Sequence, residues 1–161
     1  EAYANDTSNA DTYWNSTAPT NTLISVGDHT NTNGSGDTFI CYAWAPINGY
    51  SAFGTYTGNG GSQQFIHTGF APKFLIVKRI DSATDGNWYT LDRERIDDGT
   101  DEIPLFLNLS QEEQSASYYN YIDPWTANGF GVKAGSSLNG SSKTYIYMAF
   151  AEHPMKTSRG R

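Results

Sequence analysis

The chain has 161 residues, a formal net charge of −7, and a composition in which charged residues reach only 17% while aromatic residues reach 14%. A nucleic-acid-binding domain needs a basic surface, and docking on an anionic membrane needs one too, so this charge argues against both partners. The remaining polar residues are mostly Asn, Ser, Thr and Gly, which together with the many Tyr are typical of strands and turns.

The first part of the chain reads as loops around two short strands. Residues 1–22 are loop-like, 23–26 form a short predicted strand, and a polar loop ends in the turn-forming pair Asn33-Gly34. Residues 38–44 are apolar at adjacent positions and rich in aromatic residues, which predicts a strand buried on both faces. Cys41 lies in this run, cannot form an internal disulfide, and is interpreted as a small core residue.

The rest of the chain alternates short strand patterns with turn signals. One stretch with helix propensity, 111–116, is long enough for one or two turns. No apolar run is long enough to span a bilayer, and no signal peptide is recognisable. The pattern predicts an all-β fold, an antiparallel sandwich of jelly-roll or lectin-like topology. The predicted strands are 50–58, 64–68, a hairpin of 74–79 with 88–92, 105–108, 118–121 (or an aromatic loop), 130–133 and 144–151.

Two segments of the chain match position by position. Residues 38–45 and 144–151 both read Thr, aromatic, Ile, two further residues, Ala, aromatic, Ala, and each follows an Asn-Gly-Ser turn. The constant offset predicts a half-repeat: 1–45 would be the C-terminal half of a preceding module, packing on a complete module at 46–161, and the parent polypeptide would be longer. The alternative is chance similarity in a chain rich in Asn, Gly, Ser and Thr.

Two groups of oxygen-bearing side chains are candidates for chemical sites. Asp92 and Glu94 are two residues apart and would share a strand face, as a pair of glycosidase carboxylates could; the alternative is ion pairing in solvent at a strand end. Asp28, Asn31, Asn33 and Asp37 offer oxygen ligands for Ca²⁺, but their spacing fits ordinary turns. The three His are far apart, so we expect no metal site. No Gly-x-Ser-x-Gly elbow or phosphate loop is present, so we expect no cofactor and no catalytic residue.

Aromatic side chains are the best candidates for a ligand-binding surface. Aromatic rings stack on sugar rings, while core or subunit-interface packing is the equally weighted alternative. The candidate residues are Tyr118, Tyr119, Tyr121 and Trp125, with Tyr13 and Trp14 at the matching place in the half-repeat.

A set of structural residues spread over 50–154 resembles a β-rich module of tailed-phage tail-fibre-like virion proteins, of the marine and cyanobacterial phage type. The pattern includes Thr68-Gly69-Phe70, the run 72–78, Asn128-Gly129-Phe130 and the strand 145–152. The resemblance implies a location on the virion tail or surface, outside the host cell. It supplies no catalytic residues and no ligand.

These observations favour a non-enzymatic receptor-binding module that contacts host-surface glycans. Such modules gain strength from multivalency, so we expect a homo-oligomer, preferably a trimer, joined to other virion proteins. The alternative is a structural decoration or fibre-building module whose aromatic residues lie between subunits. An enzyme acting on surface polysaccharide would require a deep groove with two close carboxylates.

Overall fold

A computed structural model describes residues 10–82, 86–97, 101–102, 104–112 and 121–153. The chain divides into two units, Glu1–Trp44 and Ala45–Arg161. The boundary between them lies one residue before the position at which the sequence repeat was divided.

In its described part, which starts at residue 10, the first unit contains two short helices, α1 (Ala10–Trp14) and α2 (Thr30–Asn33). Helix α2 begins after His29, whose Nδ1 accepts a hydrogen bond from Asn31 N at 3.1 Å. The Asp28–Asp37 loop that was considered for Ca²⁺ is thus partly a helical turn, as its turn-forming residues allow. In the described residues there is no group of three or more His, Cys, Asp or Glu that could hold a metal ion.

The predicted strands at 23–26 and 38–44 are wrong. Both segments lie outside helices and strands, and no other segment of the first unit's described part forms a strand with which they could pair. The physical reason is that strand propensity describes side chains that fit a sheet, whereas a strand also requires a hydrogen-bonded neighbour. Cys41 is exposed, so its assignment to the core is wrong as well.

The second unit contains the strands. They are β1 (Ser51–Thr57), β2 (Gln64–His67), β3 (Pro72–Arg79), β4 (Trp88–Asp92), β5 (Ile96–Asp97), β6 (Asp101–Glu102), β7 (Leu105–Phe106), β8 (Ile122–Thr126), β9 (Gly129–Val132) and β10 (Thr144–Ala151).

These strands form a five-stranded sheet of order β1-β10-β3-β4-β7 and a three-stranded sheet of order β2-β9-β8, with β5 and β6 as a separate pair. All pairings are antiparallel. The predicted hairpin of β3 and β4 is confirmed, with Val77 opposite Tyr89. The all-β antiparallel sandwich predicted from the sequence is therefore confirmed.

One apolar core lies between the two sheets. Alternate residues of β10 (Tyr145, Tyr147 and Ala149) are buried against it, and Phe130 of β9 meets Tyr147 edge to face at 5.5 Å. The intervening β10 residues are half-buried, since β10 lies inside the five-stranded sheet. The apolar run 144–151 therefore places apolar side chains on both faces of a strand inside the sheet.

Two sequence predictions fall mostly on residues outside the described ranges. Most of the predicted helix at 111–116 lies there, and so does most of the predicted strand or aromatic loop at 118–121. The described part of the acidic stretch 93–104 contains the 3₁₀ turn Arg93–Arg95 and the strands β5 and β6.

Candidate functional site

The aromatic residues singled out in the sequence do not form one exposed cluster among the described residues. Tyr121 is only 4% exposed and meets the Tyr89 ring edge to face at 5.2 Å. Trp125 lies on β8 and packs, half-buried, against the core. Tyr121 is therefore a packing residue, which is the alternative to ligand binding, and its ring face is not open to a sugar. Tyr118 and Tyr119 lie outside the described residues.

The other two aromatic candidates belong to the first unit, on helix α1. Tyr13 stacks on the His29 ring with 4.0 Å between centroids, while Trp14 is exposed. Of this pair, Trp14 is the residue that presents a ring to solvent.

A cleft at one end of the sandwich is the better candidate for a ligand site. It has a volume of about 400 Å³, which is within the range of small-molecule sites. We call it the sheet-end cleft, and it is lined by Arg79, Asn87, Tyr89, Ser137, Gly140, Lys143 and Tyr145.

The strand register brings three of these side chains together. Tyr145 is the cross-strand partner of Arg79, and Tyr89 lies opposite Val77, two residues before Arg79. Side chains two apart on a strand share a face, so all three lie on the core-facing side of the sheet, where β3 ends and β4 and β10 begin.

The opposite wall is the turn Ser137–Asn139, and tyrosine hydroxyls fasten it to the sheet. Tyr145 Oη donates to Ser137 O at 2.8 Å and accepts from Gly140 N at 3.0 Å. Tyr89 Oη lies 3.3 Å from Ser137 Oγ. Burial raises the pKa of the Tyr145 phenol, so its hydroxyl stays a protonated donor at neutral pH.

Below this wall, Asn139 is fully buried and joins its own turn to the loop of residues 59–62. Its Nδ2 donates to Ser62 O at 2.8 Å, and its Oδ1 accepts from Asn59 N at 2.9 Å. Its own backbone O accepts from Gly60 N at 2.8 Å. This network fixes the turn that carries Ser137 and Gly140, and therefore the shape of the cleft.

Two cationic side chains, Arg79 and Lys143, line the cleft. Arg79 is ion-paired with Asp81, and Lys143 Nζ lies 4.0 Å from Asp81 Oδ2. Partial burial acts to raise the pKa of the Asp81 carboxyl, but the hydrogen bond and charge of Arg79 and the charge of Lys143 outweigh it and hold that pKa below its usual value. Among the described residues, Arg79 and Lys143 thus both face the Asp81 carboxylate at the edge of the cleft.

The carboxylates weighed as a catalytic pair are engaged elsewhere. Glu94 is ion-paired with Lys73, whose hydrogen bond and charge lower the pKa of that carboxyl. Asp92 Oδ1 accepts from Glu94 N at 2.9 Å, and its Oδ2 is 4.0 Å from Arg95 Nε. Neither residue lines the sheet-end cleft. Both Asp92 and Glu94 therefore form ion pairs, which is the alternative to a catalytic role.

Within the part of the chain that the structure describes, none of the ligand-binding residues predicted from the sequence lines this cleft. The turn at Asn139-Gly140 and the basic pair Lys78-Arg79 stand out in the sequence. Lys143 and Ser137 carry no motif, and only the pairing of β3 with β10 brings them near Arg79.

Within the described residues, no helix has the length and apolar character needed to cross a membrane. Comparison with curated proteins found no match, and comparison with solved structures found none either. A family model, described as a domain of unknown function (DUF7483), matches residues 2–154 and so runs across both units. The chain belongs to this DUF7483 family.

Proposed function

We propose that the protein is a non-enzymatic surface module of a tailed-phage virion, of the tail-fibre or receptor-binding type, which binds host-surface glycans in the sheet-end cleft. The resemblance of residues 50–154 to tail-fibre-like modules supports the virion location. The cleft itself is the observation that carries the ligand class, because it gathers hydroxyl, amide and cationic groups at one opening.

The polar groups of the cleft suit a sugar that bears an acidic substituent. Asn87 Oδ1 accepts from Asn108 Nδ2 at 3.1 Å, which orients the Asn87 amide in the cleft wall. Ser137 Oγ and Tyr89 Oη can exchange hydrogen bonds with sugar hydroxyls. Lys143, whose side chain is 43% exposed, can bind a carboxylate, sulfate or phosphate. We therefore expect an acidic glycan.

The proposal of a binding module, rather than an enzyme, rests on the placement of carboxylates. Glycoside hydrolysis uses two carboxylates beside the scissile bond. Asp92 and Glu94 lie outside the cleft and contact cations, and Asp81 is occupied by Arg79.

The binding proposal is tested first with a glycan array and then by calorimetry on any glycan that binds. Lys143→Gln should weaken the binding of an acidic glycan about tenfold, since a charge-assisted hydrogen bond contributes about 1.5–3 kcal/mol. Lys133→Gln is the matched control, because Lys133 is exposed and is not among the cleft-lining residues. An array without signal, or equal loss in both variants, would contradict the cleft as the site.

Trp125→Ala separates this site from the aromatic one suggested by the sequence. Trp125 is not among the cleft-lining residues, so a folded Trp125→Ala variant should bind as the unmodified chain does. Loss of binding in this variant, with binding kept in Lys143→Gln, would return the site to the aromatic residues around Trp125.

A second candidate function, assembly of the virion or fibre through copies of this chain, is favoured by a different observation. Ile40 is 78% exposed, Tyr42 73% and Trp44 54%, in a run that also contains exposed Phe39. Contiguous exposed apolar side chains are typical of protein interaction sites. A homo-oligomer, with a trimer preferred, would bury them and would present several glycan sites at once.

A further inference from the structure

We propose that the Asp81 carboxylate lowers the affinity of the sheet-end cleft for acidic ligands, because it competes for the two cations with which a ligand's anionic group would pair. This role deepens the proposed binding of an acidic glycan and rests on it. Asp81 does not itself line the cleft, whereas both cations, Arg79 and Lys143, do.

The position of Asp81 follows from the pairing of β3 with β10. Asp81 lies two residues beyond Arg79, where β3 ends, and Ile80 N donates to Thr144 O at 2.9 Å, which holds this part of the chain beside the start of β10. Asp81 Oδ1 accepts a hydrogen bond from Arg79 Nε, and Asp81 Oδ2 lies 4.0 Å from Lys143 Nζ. One carboxylate oxygen thus faces each cation.

The two cations are not engaged equally by Asp81. Arg79 donates a hydrogen bond directly to the carboxylate, and its side chain is 18% exposed. Lys143 Nζ lies beyond hydrogen-bond distance of Asp81, and the Lys143 side chain is 43% exposed. An incoming anion can therefore pair with Lys143 first, whereas Asp81 competes with it for Arg79. A guanidinium group binds carboxylate, sulfate or phosphate through two parallel hydrogen bonds, so this competition concerns the stronger of the two contacts.

The negative charge of Asp81 also acts inside the cleft. Desolvation raises the pKa of the Asp81 carboxyl, but Arg79 and Lys143 outweigh it and hold that pKa below its usual value, so the group is ionised at neutral pH. Burial is the main cause that raises the pKa of the cleft-lining Tyr145 phenol, and the charge of Asp81 raises it further. A carboxylate whose charge reaches Tyr145 repels an anionic group bound beside that ring.

A carboxylate beside two cations can act in either of two ways, and a neutral side chain of the same shape separates them. If Asp81 competes with the ligand, removal of its charge strengthens binding. If Asp81 serves instead to position Arg79 for the ligand, removal of its charge brings no gain. Asp81→Asn removes the charge but keeps a side-chain oxygen that can accept from Arg79.

The test is a titration with sodium sulfate at constant ionic strength, followed by the amide NMR signal of Gly140, which lines the cleft. Asp81→Asn should bind sulfate about fivefold more tightly than the unmodified chain, a factor typical of one exposed ion pair. Asp81→Ser removes the same carboxylate and should show the same gain, which keeps the test decisive if the Asn variant misfolds. Glu94→Gln is the matched control, because it removes another ion-paired carboxylate, 72% exposed, that does not line the cleft.

An equal or weaker sulfate affinity without the Asp81 carboxylate overturns the proposal, and so does an equal gain in Glu94→Gln. The absence of a saturable Gly140 shift in every chain overturns it as well. The same variants are measured by calorimetry with any acidic glycan found on the array, and the same order of affinities is expected. A glycan array without signal, together with tighter sulfate binding by Asp81→Asn, would contradict the proposed glycan function while the competition by Asp81 stands, so the two failures are distinguishable.

Discussion

At the scale of single residues, the shape of the cleft depends on the buried side-chain amide of Asn139, which does not itself line the cleft. Asn139 is followed by Gly140 and Ser141, and the sequence therefore reads as a turn with a glycosylation sequon. The structure adds that its side chain is inside the protein, where it satisfies the backbone of neighbouring turns. Its amide nitrogen is not available to a modifying enzyme in the folded state.

Asn139→Ala should therefore destabilise the fold by about 1–3 kcal/mol, because it removes two partly buried hydrogen bonds, those to Asn59 N and Ser62 O. The free energy of unfolding is measured by urea denaturation. Asn48→Ala is the control at an exposed turn position, with an expected change below about 0.5 kcal/mol. Equal effects of the two substitutions would mean that the Asn139 network contributes nothing specific.

At the scale of secondary-structure elements, the sequence predicts the second unit well and the first poorly. Strands β1, β2, β3, β4, β9 and β10 were located because each combines alternating or continuous apolar residues with flanking turns. The same rules fail at 38–44, although this segment looks like β10. A residue pattern describes the faces of a strand and cannot tell whether a neighbouring strand is present to accept its hydrogen bonds.

Strand β9 pairs closely with β8, and the sequence indicates this only by two glycines in β9, Gly129 and Gly131. Gly131 lies in β9, and a Cβ at this position would overlap Asp123 O and lie 2.7 Å from Pro124 Cδ. The strands can approach this closely because the residue has no side chain.

Gly131→Ala should therefore force β8 away from β9 and destabilise the fold by about 3 kcal/mol, at the upper end of what overpacking costs. Gly61→Ala is the matched control, since nothing lies within 4 Å of a Cβ there and its expected effect is below about 0.5 kcal/mol. Chemical denaturation of both variants measures the difference. A Gly131→Ala variant as stable as the control would show that β8 moves without cost.

At the scale of the whole molecule, the two units differ in how their apolar residues are used. The buried core cluster lies entirely in the second unit, between Tyr56 and Ala149. In the first unit Leu23, Ile24, Val26, Phe39 and Ile40 are exposed. A sequence pattern counts these residues as core candidates in both units, and only the contacts separate the buried set from the exposed one.

A fragment of residues 45–161 should consequently fold by itself. It keeps every strand that the structure describes and the whole core cluster, so its thermal midpoint should stay within roughly 5 °C of the full chain's, a change of about 1 kcal/mol. Circular dichroism and a thermal scan measure this. A fragment without a cooperative transition would mean that the core needs the first unit for its stability.

The same fragment, compared with one that begins seven residues earlier, isolates the role of the exposed segment. Fragments 38–161 and 45–161 contain the same described sheets, and they differ only in residues 38–44. If these residues join copies, the longer fragment should be oligomeric by light scattering and the shorter one monomeric at equal concentration. Two monomers, or two oligomers of equal size, would mean that burial of this segment does not drive assembly, because the difference in exposed apolar residues would then have no effect on mass.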